Sequence, residues 1–456
     1  MKRPLSLVQS ALREAWHDRV NCDGGKFSVS GNPGALQALA ALKKPLPDTL
    51  HFIWIGNLQS LDLEYIDIWQ RVNADKDINL WHDADCSYCD LFHKTLVQHA
   101  KSVAVQDSRQ LLISLQNEAF HYIYPRLDAN HTFNTLALEF LQRKGIEAAE
   151  KTKASSPAFA KSLGRMTLRN ITDIFTAKLS HLKKYYYYEV ILRGNFACAS
   201  DIARLIILYH HGGIYLDVDT LPATANHFPK TISILKQQGL YGNEFATAAL
   251  ADAALQKIRN IARIEHSIEN SLRKISNITE AERNALFHSI DEEAQPIRLA
   301  TIRPLGEVLC YPQFIIQSAV PSLAGVYFSN VIGAHRGAKT LSILLRSIKK
   351  RYRYLENNNA IFSCAHKHVP PHYLSRLLGY RMESLTRSGE ITLALTGPGL
   401  IVEVLLGLAL HLLKPEEDIP PDFLSLFMQN DRHGIAFFDH TLHTPKGLYS
   451  SWMNGC

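Results

Sequence analysis

Two aspartates two residues apart, Asp217 and Asp219, are the part of this sequence best suited to chemistry. Carboxylate oxygens are ligands that Mg²⁺ and Mn²⁺ accept readily, and a bound cation can neutralise the charge that develops on a diphosphate leaving group. In an extended segment, positions two apart face the same side. We therefore predict that both carboxylates meet one metal–diphosphate unit while Val218 points into the core.

The residues before this pair strengthen the prediction. The segment RGNFACASDIARLIILYHHGGIYLDVDTLP, from Arg193 to Pro222, is typical of a helix, a glycine turn and a short strand. Asp201 and Arg204 are three apart on that helix and share a face, where Arg204 can bind sugar hydroxyls or phosphate and Asp201 can orient it or bind the sugar. Tyr215 falls on the same face of the strand as the carboxylates. A plainer interpretation, a buried ion pair beside an exposed acidic turn, stays open.

Apolar runs predict the sheet that must carry this segment. Leu50 to Ile55 is a compact apolar and aromatic run, typical of a buried strand, and Ile78 to Trp81 predicts a second strand. Leu61 to Val72, between them, has helical spacing. Strand, helix and strand form a βαβ unit, which builds sheets with ligand sites at the carboxyl ends of the strands. The predicted fold class is α/β.

Helical patterns dominate the remaining chain. We expect an N-terminal helical segment at 1–48 and one domain at 49–456. That domain should contain two large helical insertions, at about 87–189 and 246–290.

Three of the predicted elements are specific enough to be tested. Pro157 to Tyr188 and Ala246 to Ile275 are each predicted to be helical, and Ile391 to Leu395 is predicted to be a strand before the turn TGPG.

Composition excludes some classes of protein. The chain has 456 residues, 46% hydrophobic and 20% charged, which is typical of a folded globular protein and not of a disordered one. A formal net charge of +6 over this length does not indicate a nucleic-acid partner. Seven scattered cysteines argue against a disulfide framework. Cys86 and Cys89 together with a second cluster, Cys364, His366, His368 and His372, remain a weak alternative as a zinc site.

Membrane and export signals are also weak. The N-terminus lacks the uninterrupted apolar core of a cleavable signal peptide, and the longest apolar run, Leu400 to Leu413, is too short to span a bilayer. We predict no transmembrane segment, and leave peripheral membrane contact open because of the basic run Lys349 to Arg353.

The segment from Arg193 to Pro222 resembles the donor-binding core of the clostridial large glucosylating toxins, whose glycosyltransferase domains glycosylate small GTPases. Further similarity lies in HFIWIGNLQSLDLEYIDIWQRVNADKDINLW, SNVIGAHRGAKTLSILLRSIKKRYRYL, ITLALTGPG and the terminal SSW. The blocks run in family order from about Leu50 to Trp452. The resemblance implies a GT-A type, Rossmann-like mixed sheet and a secreted bacterial toxin or effector that acts in the host cytosol.

The resemblance also implies roles for individual residues. Trp54 would stack on the uracil of a UDP-sugar, Asp201 and Arg204 would hold the sugar, and Tyr215 and Asp217 would contact the donor. Asp219 would ligate Mn²⁺ or Mg²⁺. Further contacts with the donor are expected from Ser329, Asn330, Ser450 and Trp452. The residues expected to act directly in catalysis, at the bond that breaks, are Asp217, Asp219, Arg204 and Trp452.

Two departures from the family pattern affect these expectations. Gly447 stands where the family has a glutamate that helps to complete the metal site. His443 or His440 could supply the missing ligand, since imidazole suits Mn²⁺ tolerably, and the alternative that each is a surface histidine stays open. Ser450 is a further expected metal ligand.

The second departure concerns the choice of sugar. Phe328, Ser329 and Asn330 occupy the positions that set this choice in the family and match neither pattern, although a bulky Phe328 mildly favours glucose over N-acetylglucosamine.

The function implied is a retaining, metal-dependent transfer of one sugar from UDP-glucose or UDP-N-acetylglucosamine to a hydroxyl of a host protein, such as a Rho-, Ras- or Rab-type small GTPase. Two alternatives stay open. One is a non-catalytic UDP-sugar-binding protein of the same fold, which Gly447 makes worth considering. The other is a phosphatase similar to haloacid dehalogenases, because IYLDVDTLP also resembles their nucleophile strand.

Overall fold

The structure is a computed structural model that describes most of the chain. The described residues are 6, 8–13, 15–16, 41–104, 106–128, 130–148, 163–222, 225–241, 243–261, 265–319, 327–364, 371–383, 385, 389–415 and 419–429.

The strands lie at intervals along the chain. They are β1 Lys44–Pro45, β2 Thr49–Trp54, β3 Asp77–His82, β4 Thr167–Asn170, β5 Gly213–Leu216, β6 Leu309–Cys310, β7 Ile315–Ala319 and β8 Tyr327–Ala334.

Six of these strands form one mixed sheet in the order β4-β3-β2-β5-β8-β7. β2 pairs in parallel with β3 and with β5, and β3 pairs in parallel with β4. β8 runs antiparallel to both β5 and β7. The α/β class and the first two parallel strands are confirmed. The carboxyl ends of β2, β3, β4 and β5 therefore meet at one edge of the sheet, where ligand sites of such folds lie.

Helices cover both faces of this sheet. The α-helices are α1 Glu64–Val72, α2 Cys89–Val103, α3 Ser108–Ile123, α4 Phe133–Arg143, α5 Ser180–Tyr187, α6 Phe196–His211, α7 Pro229–Gln237, α8 Glu244–Ile258, α9 Glu265–Arg273, α10 Glu280–Ala294, α11 Lys339–Asn357, α12 Tyr380–Glu383, α13 Glu390–Leu395, α14 Pro398–Leu413 and α15 Pro421–Met428.

Three element predictions were wrong. The segment predicted as a helix from Pro157 to Tyr188 contains β4, because Thr167–Asn170 pairs with the edge of β3. The single helix predicted from Ala246 to Ile275 is divided into α8 and α9, since Asn260 adopts a left-handed conformation that ends α8. Ile391 to Leu395, predicted as a strand, is helix α13.

The apolar core is divided by the sheet. Tyr215 and Ile332 face a large cluster that includes the buried residues of α6, α11 and α14. Ile214 and Leu216, which alternate with Tyr215, face a second cluster on the other side. β5 is buried on both faces, which is typical of a central strand. Its position fixes the residue that follows, Asp217, at the carboxyl edge.

The N-terminal and C-terminal helices contact each other. In the described residues between 6 and 16, Gln9 donates a 2.9 Å hydrogen bond to the carbonyl of Leu413. The rings of Trp16 and Phe423 lie 4.9 Å apart. The division of the chain at residue 48 stays a proposal.

One apolar stretch, Glu390–Leu413, is long and apolar enough to cross a membrane, with a mean hydropathy of 2.0. It consists of α13 and α14, with Thr396 and Gly397 between them. α14 buries Leu400 and Leu405 in the large apolar cluster. α14 therefore packs one side into the core, and 39% of the apolar 18-residue window of the stretch is buried.

Candidate active site

Helix α6 carries two charged residues into the interior. Asn195 caps the helix by accepting a 3.0 Å hydrogen bond from the backbone N–H of Cys198. Asp201 and Arg204 then lie three residues apart, and Arg204 Nη2 is 3.2 Å from Asp201 Oδ1. Both side chains are 7% exposed, so the pair is desolvated on the face predicted from the spacing. The buried ion pair thus exists, and it is part of a larger polar network.

A tight turn leads from α6 into β5. Gly212 and Gly213 have φ values of +71° and +92°, a region that residues with a Cβ rarely adopt. A Cβ on Gly213 would lie 2.5 Å from the carbonyl oxygen of Thr49. His51 holds the turn, because its Nε2 lies 2.9 Å from the Gly212 carbonyl oxygen and its Nδ1 accepts from the Trp81 indole. The close approach of β2 and β5 therefore requires glycine.

The aspartate pair lies in a turn, not in an extended segment. The strand ends at Leu216, and the N–H of Asp217 donates a last 2.8 Å bond to the Asn330 carbonyl of β8. The N–H of Thr220 then donates to the Asp217 carbonyl over 3.1 Å. The prediction that alternation of an extended chain points both carboxylates one way was wrong, because the backbone turns as soon as strand pairing ends. Val218 does pack partly against the second apolar cluster, as expected.

Asp217 is held by two neighbours. The Tyr215 hydroxyl donates a 2.5 Å hydrogen bond to Asp217 Oδ1, and Arg204 Nη1 lies 3.6 Å from the same oxygen. The guanidinium also lies 4.4 Å from the centre of the Tyr215 ring, a cation–π contact. Tyr215 and Arg204 thus fix one oxygen of a carboxylate whose side chain is one-third exposed.

Electrostatics assign the protons of this network. Burial raises the pKa of Tyr215 well above its usual value, and the Asp217 charge raises it further, although Arg204 lowers it. Tyr215 therefore stays protonated and is the donor to Asp217. Burial opposes the charge on Arg204, but the carboxylates of Asp201 and Asp217 raise its pKa, so the guanidinium stays charged. Burial also raises the pKa of Asp201 to about 6, against the lowering effects of Arg204 and Thr396.

Strand β8 brings the predicted sugar-contacting segment to this network. Its pairing with β7 shifts between Gln317 and Ser318, so that the residues after Phe328 bulge from the ladder; such bulges often lie next to active sites. Arg204 Nη1 donates a 2.6 Å hydrogen bond to the Ser329 carbonyl. Asn330 Oδ1 is buried and accepts no hydrogen bond from the described part of the chain. The bulge therefore contains a buried polar atom without a partner in the described residues, on the residue whose carbonyl accepts from the Asp217 N–H.

Trp54 ends β2 at the same edge of the sheet. Its indole N–H donates a 2.9 Å hydrogen bond to the Asn57 carbonyl, which fixes the ring, and the residue is half-buried. A half-buried ring at the carboxyl edge is available for stacking.

Asp219 lies near Tyr65 of α1. The pKa of Tyr65 is raised to about 12, mainly by burial and in part by nearby charges that include Asp219. The residue itself is half-buried. Within the described ranges, no three His, Cys, Asp or Glu residues are grouped so that they could hold a metal ion. Asp217 and Asp219 supply hard oxygen donors, and two carboxylates fit a cation whose other ligands come from a diphosphate and water.

Several predicted residues lie outside the described residues. They are His440, His443, Gly447, Ser450 and Trp452.

The cysteines of the zinc alternative are buried. Burial raises the pKa of the Cys86 and Cys89 thiols well above the usual value, and Asp83 raises both further. Thiols that hold their protons are poor metal ligands, and the pair packs in the large apolar cluster. Their environment favours a structural role.

Comparison with known proteins assigns the chain to a protein family. The model of the family described as the TcdA/TcdB catalytic glycosyltransferase domain matches residues 48–158 and 160–369. The chain belongs to this family. The match includes every candidate residue from Trp54 to Asn330, and the fold is accordingly of the GT-A type. Membership of a glycosyltransferase family gives no support to the alternative that the chain is a phosphatase.

Relatives within the family are bacterial toxins. Toxin A of Clostridium novyi is 26% identical over 332 residues, which cover 68% of this chain and 14% of that toxin. The chain therefore spans a small part of this relative.

Solved structures show the same fold. The catalytic domain of alpha-toxin from Clostridium novyi has a TM-score of 0.65 at 17% identity, covering 97% of this chain and 88% of that domain. The UDP-bound glycosyltransferase domain from the YGT toxin has a TM-score of 0.52 at 17% identity, covering 80% of this chain and 78% of that domain.

Two residues next to the site were not predicted to belong to it. His51 begins a family-like block, but nothing in the sequence indicated that it holds the Gly212 turn. Thr396 lies in the family-like TGPG turn, and its hydroxyl donates a 2.9 Å hydrogen bond to Asp201 Oδ2. Thr396 is a polar residue between two apolar segments, and this was the one feature of the sequence that could have indicated its role.

Proposed function

We propose that this chain is a metal-dependent glycosyltransferase that moves one sugar from a UDP-sugar to a hydroxyl group of a host protein. The observation that carries the proposal is the position of Asp217. Tyr215 and Arg204 hold its carboxylate at the carboxyl edge of the sheet, within the segment that matches the family. A carboxylate held in advance at this edge can act on a diphosphate without further reorganisation.

The donor is proposed to lie along this edge with its uracil on Trp54. The ring ends β2, the strand that pairs directly with β5, so the uracil and the Asp217 carboxylate would bind on adjacent strands. Asp201 and Arg204 would hold the sugar. The UDP bound in the YGT toxin domain, which shares the fold, supports a uridine nucleotide as the ligand class.

A Mn²⁺ or Mg²⁺ ion is proposed at Asp219, with Asp217 beside it. When bound, the cation supplies positive charge to the departing diphosphate. Asp217 shares one oxygen with Tyr215 and Arg204, which leaves its second oxygen for the donor. Ser450 and His443 are proposed as further ligands in place of the family glutamate at Gly447.

The transfer is proposed to retain configuration at the anomeric carbon. The acceptor oxygen forms a bond to that carbon on the face from which UDP departs, and the bond between the carbon and the diphosphate oxygen breaks. The acceptor proton passes to the leaving phosphate. Arg204 keeps its positive charge beside the sugar throughout, and Trp452 is proposed to contact the bond that breaks.

The bulge of β8 is proposed to set the choice between glucose and N-acetylglucosamine. Phe328 is half-buried at its start and favours the smaller glucose. Asn330 Oδ1, which accepts no hydrogen bond from the described residues, is the proposed partner of a sugar hydroxyl.

The acceptor is proposed to be a small GTPase of the Rho, Ras or Rab type, and the setting a toxin or effector acting in the host cytosol. The family and its toxin relatives support both. A non-catalytic UDP-sugar-binding protein is the second candidate, because Gly447 replaces the family glutamate.

A labelling experiment tests the proposal. The purified protein is incubated with Mn²⁺, host-cell lysate and either radiolabelled UDP-glucose or UDP-N-acetylglucosamine. We expect label in one protein of about the size of a small GTPase, dependent on Mn²⁺. Binding of UDP without labelling or hydrolysis would instead establish the non-catalytic alternative.

A further inference from the structure

Two threonines four residues apart, one in helix α13 and one just after it, form hydrogen bonds with α6 and the residue that caps it. Asn195 Nδ2, at the start of α6, donates a 2.8 Å hydrogen bond to Thr392 Oγ1. Thr396 Oγ1 donates to Asp201 Oδ2 over 2.9 Å, about one and a half turns further along α6. Residues four apart share a face of a helical turn. The two threonines therefore hold α13 along the part of α6 that carries the candidate sugar-binding residues.

The two threonine hydroxyls have different hydrogen-bond partners. Thr392 belongs to a structural cluster: its hydroxyl donates to Glu383, and the same carboxylate accepts from Arg193 and from the backbone of α13. Thr396, in contrast, contacts Asp201 directly. It is 1% exposed, so this hydrogen bond is shielded from bulk solvent.

Asp201 has one buried partner for each carboxylate oxygen. Arg204 Nη2 lies 3.2 Å from Oδ1, and the Thr396 hydroxyl binds Oδ2. A carboxylate held at only one oxygen can rotate about its last side-chain bond, whereas two partners fix the plane of the group. Arg204 also contacts Asp217 and the Ser329 carbonyl. Rotation of Asp201 would therefore displace the guanidinium between the two aspartates.

We propose that Thr396 is a positioning residue for the transfer reaction, which acts by holding Asp201 in the orientation that binds the donor sugar. The inference rests on the proposed function, because it requires that Asp201 binds the sugar. The proposed role requires no contact between Thr396 and the donor, because its hydroxyl binds Asp201. It connects the TGPG turn between α13 and α14 to the site.

The test compares hydroxyl-removing and hydroxyl-keeping variants. Thr396→Val has nearly the same shape and Thr396→Ala is smaller; both remove the hydroxyl, and Thr396→Ser keeps it. Thr392→Val is the matched control, because it loosens the same helix without touching Asp201. For each variant we measure kcat and KM for UDP-glucose hydrolysis with Mn²⁺, the Kd for UDP, and Tm. Kinetics are compared for whichever of the Val and Ala variants melts close to the parent.

We expect removal of the Thr396 hydroxyl to lower kcat/KM about ten-fold or more, since a hydrogen bond to a buried charged group is lost. The Kd for UDP, which lacks the sugar, should not change. Thr396→Ser should recover most of the activity, and Thr392→Val should lower Tm while kcat/KM stays near that of the parent.

Three results would overturn the inference while leaving the proposed function intact. They are an unchanged kcat/KM without the Thr396 hydroxyl, an equal loss in Thr396→Ser, and an equal loss in Thr392→Val. A parent protein that neither hydrolyses nor binds UDP-glucose would instead overturn the proposed function, and the inference with it.

Discussion

The hydroxyl of Tyr215 lies 2.5 Å from Oδ1 of Asp217, and the two residues are separated by a single position at the end of β5. The strand places the ring on the face covered by α6, and the turn after Leu216 brings the carboxylate back to the hydroxyl. Because Tyr215 keeps its proton, this bond directs one oxygen of Asp217 inward. The other oxygen is left for a ligand.

Replacing Tyr215 by phenylalanine should separate this bond from the packing of the ring. The ring stays beneath Arg204, but Asp217 loses its donor. We expect kcat/KM for UDP-glucose hydrolysis to fall about 10- to 100-fold, corresponding to the ~1.5–3 kcal/mol of a hydrogen bond to a charged group. Tyr209→Phe, on α6 outside the site, should leave kcat/KM unchanged. Equal rates for Tyr215→Phe and the parent would show that this hydrogen bond does not contribute to catalysis.

Trp54 should contribute to nucleotide affinity through its ring. Trp54→Ala is expected to raise the Kd for UDP about 5- to 100-fold, because stacking of a base on an aromatic side chain contributes ~1–3 kcal/mol. Trp54→Phe should lose less, since it keeps a stacking surface. Isothermal titration of UDP in Mn²⁺ measures both, and an unchanged affinity in Trp54→Ala would place the uracil elsewhere.

The turn between α6 and β5 should tolerate no side chain. Gly213→Ala brings a Cβ within 2.5 Å of the Thr49 carbonyl. Gly239→Ala is the control, because Gly239 also has a positive φ, +69°, but has open space where the Cβ would lie. We expect the control to lose ~1–2 kcal/mol of unfolding free energy for the left-handed conformation, and Gly213→Ala about 1–3 kcal/mol more for the clash.

Urea denaturation of the two glycine variants gives this comparison directly. Equal losses in both would mean that β2 moves aside at no cost.

The burial of Asp201 should appear in the pH dependence of stability. Its pKa is raised from 3.8 to about 6 in the folded protein, so the folded state binds this proton more tightly than the unfolded state. The corresponding stability is fully present below about pH 4 and is lost as pH rises through 6. The unfolding free energy of the parent minus that of Asp201→Asn should therefore fall by about 2 kcal/mol between pH 4 and 7.

Denaturation of both proteins at several pH values checks this difference, in which the titrating groups that do not interact with Asp201 cancel. A difference that grows with pH would mean that Asp201 is more acidic when folded.

The parts of the fold that were predictable are those with strong local patterns. Leu50 to Ile55 and Ile78 to Trp81 are continuous apolar runs, and both are central parallel strands. The spacing of Asp201 and Arg204 placed them on one helix face, and they form an ion pair. In these segments the local pattern and the tertiary packing favour the same structure.

The missed features depend on contacts between distant segments. Thr167–Asn170 is mostly exposed and becomes a strand only by pairing with β3. Ile391 to Leu395 has the β-branched residues of a strand, but Glu383 binds the first N–H groups of α13 and stabilises a helix. The turn at Asp217 begins where the pairing of β5 with β8 ends. A single sequence contains no local signal for such partners.

Hydrolysis of UDP-glucose by the parent and by the Asp217→Asn and Asp219→Asn variants, with Mn²⁺ and without an acceptor, tests the central claim most directly. Both variants nearly keep the shape of the side chain and remove its charge. We expect that the parent releases glucose and that each variant does so at least ~100-fold more slowly, because a group that stabilises developing charge is lost. Parent-like rates in both variants would contradict this claim.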